Sequence, residues 1–255
     1  MESITSLDIL ETTSHQPDGP QLDDGHRILK LYCATCGRKQ PVKLRCGSRI
    51  CPDCRRKDFW RLAKGYSNAV QVMKAPKLMT LTLINKSDLS QDEVKRLRSS
   101  FVKLMRRKYY RSKVRGGLYA IEVVNKGKGW NIHMHVLLDA NYIDQKQISQ
   151  DWRELTGDSY IVDIRIADSP KKGLHYILKY LSKPPQLNGE DAKNQYQKVL
   201  KGVRLVQPFG SLYRDLKLEH RDLACPKCGG FGWISSFEVD SVFEEFLRKA
   251  EDGFS

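Results

Sequence analysis

Two strand-like segments separated by a glycine loop constrain the fold of this chain more than any other feature. Residues 117–125 (GLYAIEVVN) and 130–140 (WNIHMHVLLDA) are rich in residues that favour strands, and the loop KGKG lies between them. Its glycines suit a tight hairpin turn. A four-residue hairpin loop places Asn125 opposite Trp130 and Glu122 opposite His133. The sequence therefore predicts an antiparallel hairpin with a fixed register.

The remaining periodic segments extend this hairpin into a fold class. Strands are predicted at residues 78–85 and 160–167, and helices at residues 88–111, 144–157 and 169–183. In the last helix, Ser169 suits the N-cap position and Pro170 the first turn. The order strand, helix, hairpin, helix, strand, helix predicts an α+β fold, in which helices pack on a central, mainly antiparallel sheet.

Charge is unevenly distributed along the 255 residues. The net charge is +14, but residues 1–25 hold six acidic residues and no Lys or Arg, so residues 26–255 carry +20. We expect the first 25 residues to be a disordered acidic leader. A basic excess of this size favours nucleic acid as partner, and an anionic membrane surface second, although a merely solvated basic surface is the plain alternative.

The sequence contains no segment typical of membrane insertion or secretion. No run of about 18 apolar residues occurs, and the first residues lack the basic start and apolar core of a signal peptide. We therefore expect a soluble, cytoplasmic protein, and of the two possible partners we expect nucleic acid and not a membrane.

The predicted hairpin brings two histidines and a carboxylate together. His133 and His135 share one face of their strand, and Glu122 faces His133 from the neighbouring strand. Two imidazoles and a carboxylate suit Mg²⁺ or Mn²⁺ beside a phosphate-bearing substrate, while Zn²⁺ or another transition ion could also bind. The alternative is that both histidines are ordinary core or surface residues.

A tyrosine pair marks the helix at residues 169–183. Tyr176, Tyr180 and Lys183 share one face because they are spaced by about one turn. A tyrosine hydroxyl is a poor nucleophile at neutral pH, since its pKa is about 10, so it needs a nearby metal or cation. Lys179 or Lys183 could stabilise the developing charge. Alternatively, the tyrosines are ordinary rim residues of an amphipathic helix.

Three of these segments together resemble a known family. LTLIN (residues 81–85), HMH (133–135) and ILKYLSK (177–183) have the order and approximate spacing of the three motifs of HUH endonucleases. In particular they resemble those of rolling-circle replication initiator (Rep) proteins of plasmids and phages. Met134 is an acceptable hydrophobic residue between the histidines. The resemblance implies an HUH core, built like an RNA-recognition-motif sheet with packed helices.

The resemblance also implies roles for the site residues. His133 and His135 would bind the divalent metal, with Glu122 as third ligand. Tyr180 would attack a phosphodiester of single-stranded DNA, leaving a 5′-phosphotyrosyl bond and a free 3′-OH. Tyr176 occupies the position of the second nucleophile of two-tyrosine members, but many plasmid members have a single tyrosine.

The implied partners are single-stranded DNA with an origin hairpin, a host polymerase that extends the 3′-OH, and a host helicase. The helicase is expected from the host because the chain has no Walker-type phosphate loop. Two other functions fit the residues. One is a two-tyrosine HUH transposase, and the other is a non-catalytic, zinc-dependent nucleic-acid-binding protein.

The cysteines lie outside the predicted nuclease core, and we expect them to bind structural Zn²⁺ rather than to form disulfides. They are Cys33, Cys36, Cys46, Cys51, Cys54, Cys225 and Cys228. The zinc-ribbon spacing of two Cys-x-x-Cys pairs makes the first assignment Cys33, Cys36, Cys51 and Cys54. Cys46 or residues 225–228 could instead contribute. Seven cysteines suffice for one site, or for two sites with His26 or His220 as the eighth ligand.

Basic residues flank the cysteines. Arg45, Arg49, Arg55 and Arg56, with Lys57 beside them, are expected to contact the DNA backbone, as is Lys179 of the tyrosine helix. The cysteine segment could equally be only a structural staple. Residues 200–214 either contact DNA or close the core.

These segments predict four regions. They are an acidic leader (1–25), a Cys-rich zinc module (26–70), the nuclease core (76–215), and a C-terminal Cys-x-x-Cys segment with an acidic peripheral helix (216–255).

Overall fold

A computed structural model describes residues 26–214 and 224–235. The described residues divide into two compact units, residues 26–47 with 224–235, and residues 48–214. The expected leader at residues 1–25 and the acidic C-terminal helix lie outside the described residues. Residues 48–70, which we expected in the Cys-rich module, belong to the second unit. Within the described residues, no helix is both long and apolar enough to cross a membrane.

The described helices and strands follow in chain order. They are β1 (Ile28–Cys33), β2 (Lys39–Lys43), α1 (Pro52–Gln71), β3 (Pro76–Thr82), α2 (Gln91–Arg106), α3 (Lys108–Arg111), β4 (Val114–Asn125), β5 (Trp130–Ala140), α4 (Gln145–Thr156), β6 (Val162–Ile166), α5 (Pro170–Ser182), α6 (Gly189–Leu200), β7 (Val206–Gly210), α7 (Ser211–Arg214) and β8 (Trp233–Ser235).

The larger unit contains a five-stranded sheet in the order β6-β3-β5-β4-β7. Every neighbouring pair is antiparallel, which confirms the predicted α+β class. The hairpin register is also confirmed, since Asn125 pairs with Trp130 and Glu122 with His133. β7 pairs with β4, so residues 206–210 form an edge strand of the sheet.

Helices cover both faces of this sheet. On the face that carries His133 and His135, α5 approaches closely, because an added Cβ at Gly173 would lie only 2.6 Å from Leu137 Cδ1. On the opposite face, Phe101 of α2 packs edge-on against Tyr119 of β4, with ring centroids 5.5 Å apart. The buried residues of β5 alternate between these two layers, as a strand covered on both faces requires.

Helix α1 was not predicted from the sequence. It begins after Cys51, whose side chain accepts a hydrogen bond from Cys54 N, and Pro52 occupies its first turn. Its buried residues Ala63, Tyr66 and Val70 follow helical spacing. α1 packs along α5, where Phe59 and His175 have ring centroids 5.8 Å apart.

The smaller unit contains a three-stranded antiparallel sheet in the order β2-β1-β8. Leu29, Leu31 and Trp233 form its core together with Cys33 and Cys225. Pairing of β1 with β8 brings the Cys-x-x-Cys segments from opposite ends of the sequence together.

Candidate functional site

The predicted metal ligands lie on one face of the large sheet. His135 Nε2 is 3.1 Å from Glu122 Oε2, and the rings of His133 and His135 are stacked at 6.0 Å. Among the described residues, however, the ligand atoms of His133, His135 and Glu122 are not all within 4.8 Å of one another. A shared ion therefore needs a side-chain adjustment. The donor set, two imidazoles and a carboxylate, suits a divalent cation.

Two threonines of β3 orient the histidine rings, and sequence reasoning missed both. Thr80 Oγ1 is 3.2 Å from His135 Nδ1, and Thr82 Oγ1 is 3.0 Å from His133 Nδ1. A partner at Nδ1 fixes the ring and leaves Nε2 as the nitrogen available to a metal. The signal was present in the alternation LMTLTLIN, which places both hydroxyls on one face of the strand.

His133 is suited to metal binding by its protonation state. Burial lowers the pKa of His133 to about 4, and this outweighs the opposing effect of the Glu122 carboxylate. The His133 imidazole is therefore neutral at neutral pH, as a metal ligand must be.

The tyrosine helix lies on the same face of the sheet. Ser169 is its N-cap, as predicted, because its Oγ accepts from Lys172 N at 3.2 Å. The ring of Tyr180 stacks on that of His135, with centroids 3.9 Å apart and an interplanar angle of 6°. Tyr180 donates a hydrogen bond to the Tyr176 hydroxyl at 3.3 Å.

The surroundings of Tyr180 keep its hydroxyl protonated. Burial raises the pKa of Tyr180 well above its usual range, and the hydrogen bond with Tyr176 and the Glu122 charge act in the same direction. Two cations lie over the Tyr176 ring: Lys179 Nζ at 3.7 Å from its centroid and Arg165 at 5.2 Å. Arg165, on β6, was not predicted. Lys183 is exposed and caps the helix end.

The structure corrects one of the expected DNA contacts, Arg55. Arg55 is only 7% exposed, and its guanidinium donates to the carbonyls of Tyr180, Lys183 and Arg49 rather than facing solvent. Arg49 donates to the carbonyls of Leu200 and Val203. The Arg55 side chain is thus committed to backbone acceptors, whereas Arg49 is half-buried and remains a candidate DNA contact.

The other basic candidates differ in exposure. Arg56 is exposed and forms an ion pair with Asp53 at 3.2 Å, and Lys57 is also exposed. Arg45 is half-buried, and so is Lys179, which lies at the tyrosine pair. The Arg56 side chain is 70% exposed.

The first assignment of a zinc tetrad is wrong. Cys33 and Cys36 lie with Cys225 and Cys228 instead of with Cys51 and Cys54, and the four sulfurs are all within 4.8 Å of one another. The spacing of the two Cys-x-x-Cys pairs suggested a local ribbon. The pairing of β1 with β8 instead brings Cys33 and Cys36 to Cys225 and Cys228.

The cluster Cys33, Cys36, Cys225 and Cys228 has the geometry of a tetrahedral metal site. Cys33 Sγ to Cys228 Sγ is 3.6 Å, and Cys36 Sγ to Cys225 Sγ is 3.7 Å. Zinc–sulfur bonds of 2.3 Å give tetrahedron edges of about 3.8 Å. Although burial opposes ionisation, hydrogen bonds from the N–H groups of Cys36 and Thr35 lower the pKa of Cys33 to about 6. This cluster can hold a zinc ion.

Two sequence comparisons with known proteins agree on one family. A family model described as "Replication protein" matches residues 38–226. The protein named "Protein rep" of Staphylococcus aureus is 32% identical over 158 residues, which are 54% of this chain and 69% of that protein. Among solved structures, the N-terminal nuclease domain of minute virus of mice non-structural protein 1 is 10% identical, with a TM-score of 0.17, over 83% of this chain and 73% of that chain.

Proposed function

The chain belongs to a family of replication proteins, and on that premise we propose that it nicks and rejoins single-stranded DNA at a replication origin. The nick would start rolling-circle replication of a plasmid or phage through a tyrosine 5′-phosphodiester. The observation that carries this proposal is the stacking of Tyr180 on His135 at 3.9 Å, with Glu122 in contact with the same histidine. A candidate nucleophile and candidate metal ligands thus meet on one sheet face.

His133, His135 and Glu122 would hold the catalytic ion, Mg²⁺ or Mn²⁺. When bound, a divalent ion supplies Lewis-acid activation of the scissile phosphodiester. The Tyr180 oxygen attacks phosphorus, its bond to phosphorus forms, and the bond to the 3′-oxygen breaks. The leaving oxygen becomes the free 3′-OH that a host polymerase extends.

The chain's own residues prepare this attack. The Tyr180 proton leaves along its hydrogen bond to Tyr176, whose own proton passes to water, and the leaving 3′-oxygen takes up a proton from water. Lys179 Nζ lies 4.9 Å from the Tyr180 ring centroid, close enough to stabilise a developing phenolate. Lys183, exposed at the end of α5, would contact the transferred phosphate.

The adjacent hydroxyls favour a role for Tyr176 as second nucleophile, which would cleave again after one round and rejoin the ends. This arrangement also suits a two-tyrosine transposase of the same chemistry. The matched family and the relative are both replication proteins, and we therefore prefer replication.

The surrounding regions would bind and shape the DNA. The excess of Lys and Arg, including Arg45, Arg56 and Lys57, would contact the backbone of single-stranded DNA and an origin hairpin. A host helicase would unwind the duplex, in the cytoplasm. We extend the proposed nuclease core from 76–215 to 48–214, because α1 packs on the tyrosine helix.

We propose zinc, in a structural role, for the cluster Cys33, Cys36, Cys225 and Cys228. This set does not include Cys46, Cys51 and Cys54, which remain candidates for structural zinc.

The test is formation of a covalent adduct. The purified chain is incubated with 5′- and 3′-labelled single-stranded DNA tiled across its replicon, with Mn²⁺ or with EDTA, and resolved by denaturing electrophoresis. We expect a protease-sensitive adduct with Mn²⁺ and none with EDTA. Tyr180→Phe should lose this adduct and keep its DNA affinity. Tyr142→Phe, a change at a 72% exposed tyrosine, is the matched control.

Each other outcome has a definite meaning. DNA binding without an adduct on any substrate would favour the non-catalytic binding function. An adduct that survives in Tyr180→Phe but not in Tyr176→Phe would reverse the roles of the two tyrosines.

A further inference from the structure

Arg55 makes contacts that neither zinc binding nor DNA binding explains. It lies in the first turn of α1, is 7% exposed, and donates to α5 through three hydrogen bonds. Nη2 donates to Tyr180 O at 2.7 Å and to Lys183 O at 2.7 Å, and Nε donates to Lys183 O at 2.9 Å. Its acceptors are thus the main-chain oxygens of two residues with proposed chemical roles.

The sequence of α5 explains why an external donor is needed there. The last carbonyls of a helix have no intrahelical partner. The donor that would normally reach Tyr180 O is the N–H of residue 184, but that residue is Pro184 and has none. Without Arg55, the Tyr180 carbonyl would lose this donor, at the residue that carries the proposed nucleophile.

We propose that Arg55 is a positioning residue for the nucleophile, an inference that rests on the proposed function. Its guanidinium fixes the last turn of α5, so that the Tyr180 phenol stays stacked on His135 and Lys183 stays at the helix end. The positive charge also complements the negative end of the helix dipole.

Arginine suits this position better than lysine. Its planar group donates from Nε, Nη1 and Nη2 at once, and Nη1 additionally binds Arg49 O at 3.0 Å. A lysine ammonium has a single nitrogen and cannot span carbonyls on both sides. The conservative change Arg55→Lys therefore keeps the charge and removes the geometry.

The test compares Arg55→Lys with Arg96→Lys. Arg96 is a matched control, because it donates to Thr156 O at the end of a different helix, α4, and pairs with Asp158. We measure single-turnover nicking with saturating DNA and Mn²⁺, DNA affinity, and urea unfolding. Arg55→Lys should slow nicking by about 10-fold or more, since small displacements of reacting groups are costly, and leave DNA affinity within about 2-fold. Arg96→Lys should lose stability but nick at the wild-type rate.

A wild-type nicking rate in Arg55→Lys overturns the inference, as does an equal loss in Arg96→Lys at equal stability. If Arg55→Lys cannot be purified folded, Arg55→Gln replaces it in the test. This variant keeps an amide donor for one carbonyl and should nick measurably, but more slowly than the wild type. Absence of nicking by the wild-type chain would instead overturn the proposed function, so the two failures are distinguishable.

Discussion

At the scale of single residues, the geometry of the site depends on buried polar groups around it. Asp139, at the end of β5, accepts from Lys74 N at 3.1 Å and Ala75 N at 2.9 Å, and it pairs with Arg115 through two bonds of 2.6 and 2.7 Å. These bonds tie the entry of β3 to the strand that carries both histidines. The sequence did not indicate this role.

We predict that Asp139→Asn destabilises the fold by about 3 kcal/mol, because Arg115 is left without its carboxylate in a partly buried site. The measurement is urea unfolding at pH 7. Asp92→Asn, at an ion pair with Lys95 in which both side chains are largely exposed, is the control and should change stability by about 0.5 kcal/mol or less.

The same pair predicts a pH dependence. Burial raises the pKa of Asp139, but the hydrogen bonds and charge of Arg115, with those of the Lys74 and Ala75 N–H groups, outweigh it and lower that pKa. The contribution is therefore complete above the unfolded value of about 3.9 and is lost as the pH falls through the lowered folded value. The stability difference between wild type and Asp139→Asn should shrink below about pH 4.

At the scale of elements, the hairpin loop fixes the strand that carries the histidines. Gly129 has φ of +85°, and an added Cβ would lie 2.7 Å from Lys86 O, which accepts from Trp130 N. Gly127 also has a positive φ, of +89°, but an added Cβ there meets only the Asn188 side chain, at 3.1 Å. A comparison of substitutions at the two glycines therefore separates the cost of strain at positive φ from the cost of a clash with a neighbouring backbone.

We predict that Gly129→Ala costs about 2 to 4 kcal/mol, because strain at positive φ adds to displacement of the Lys86 backbone. Gly127→Ala should cost about 1 kcal/mol, from the strain alone. Urea unfolding measures both values. Equal losses of stability in the two variants would show that the contact with Lys86 adds nothing to the cost of the strain.

At the scale of the whole molecule, the cysteine cluster joins distant parts of the sequence. Cys33 and Cys228 are 195 positions apart, and Cys36 and Cys225 are 189 apart. A metal that links such distant segments removes a large amount of conformational freedom from the unfolded chain.

We predict that Cys225→Ser holds one zinc ion fewer per chain than the wild type, measured by native mass spectrometry, and that it unfolds at a lower temperature. Lys227→Ser changes an exposed residue of the same turn and should keep the wild-type zinc content. Unchanged zinc content in Cys225→Ser would contradict the assignment of the cluster.

The sequence by itself determined the α+β class, the hairpin register and the start of the tyrosine helix. It also showed the resemblance to replication initiators, and the family match confirms this resemblance. These features are local, since strand period, loop glycines and caps act over a few residues. Neighbouring motifs on one hairpin could therefore be placed opposite each other before any fold was known.

Only the tertiary structure decided the partner of Cys33, the contacts of Arg55 and the threonines beside the histidines. Each depends on contacts between segments distant in sequence, where residue type does not specify the partner. A basic residue beside cysteines looks like a DNA contact, but Pro184 has no N–H for the Tyr180 carbonyl, and Arg55 donates to that carbonyl instead. The packing of α1 on α5 decides which donor reaches the Tyr180 carbonyl, and no local sequence pattern contains that information.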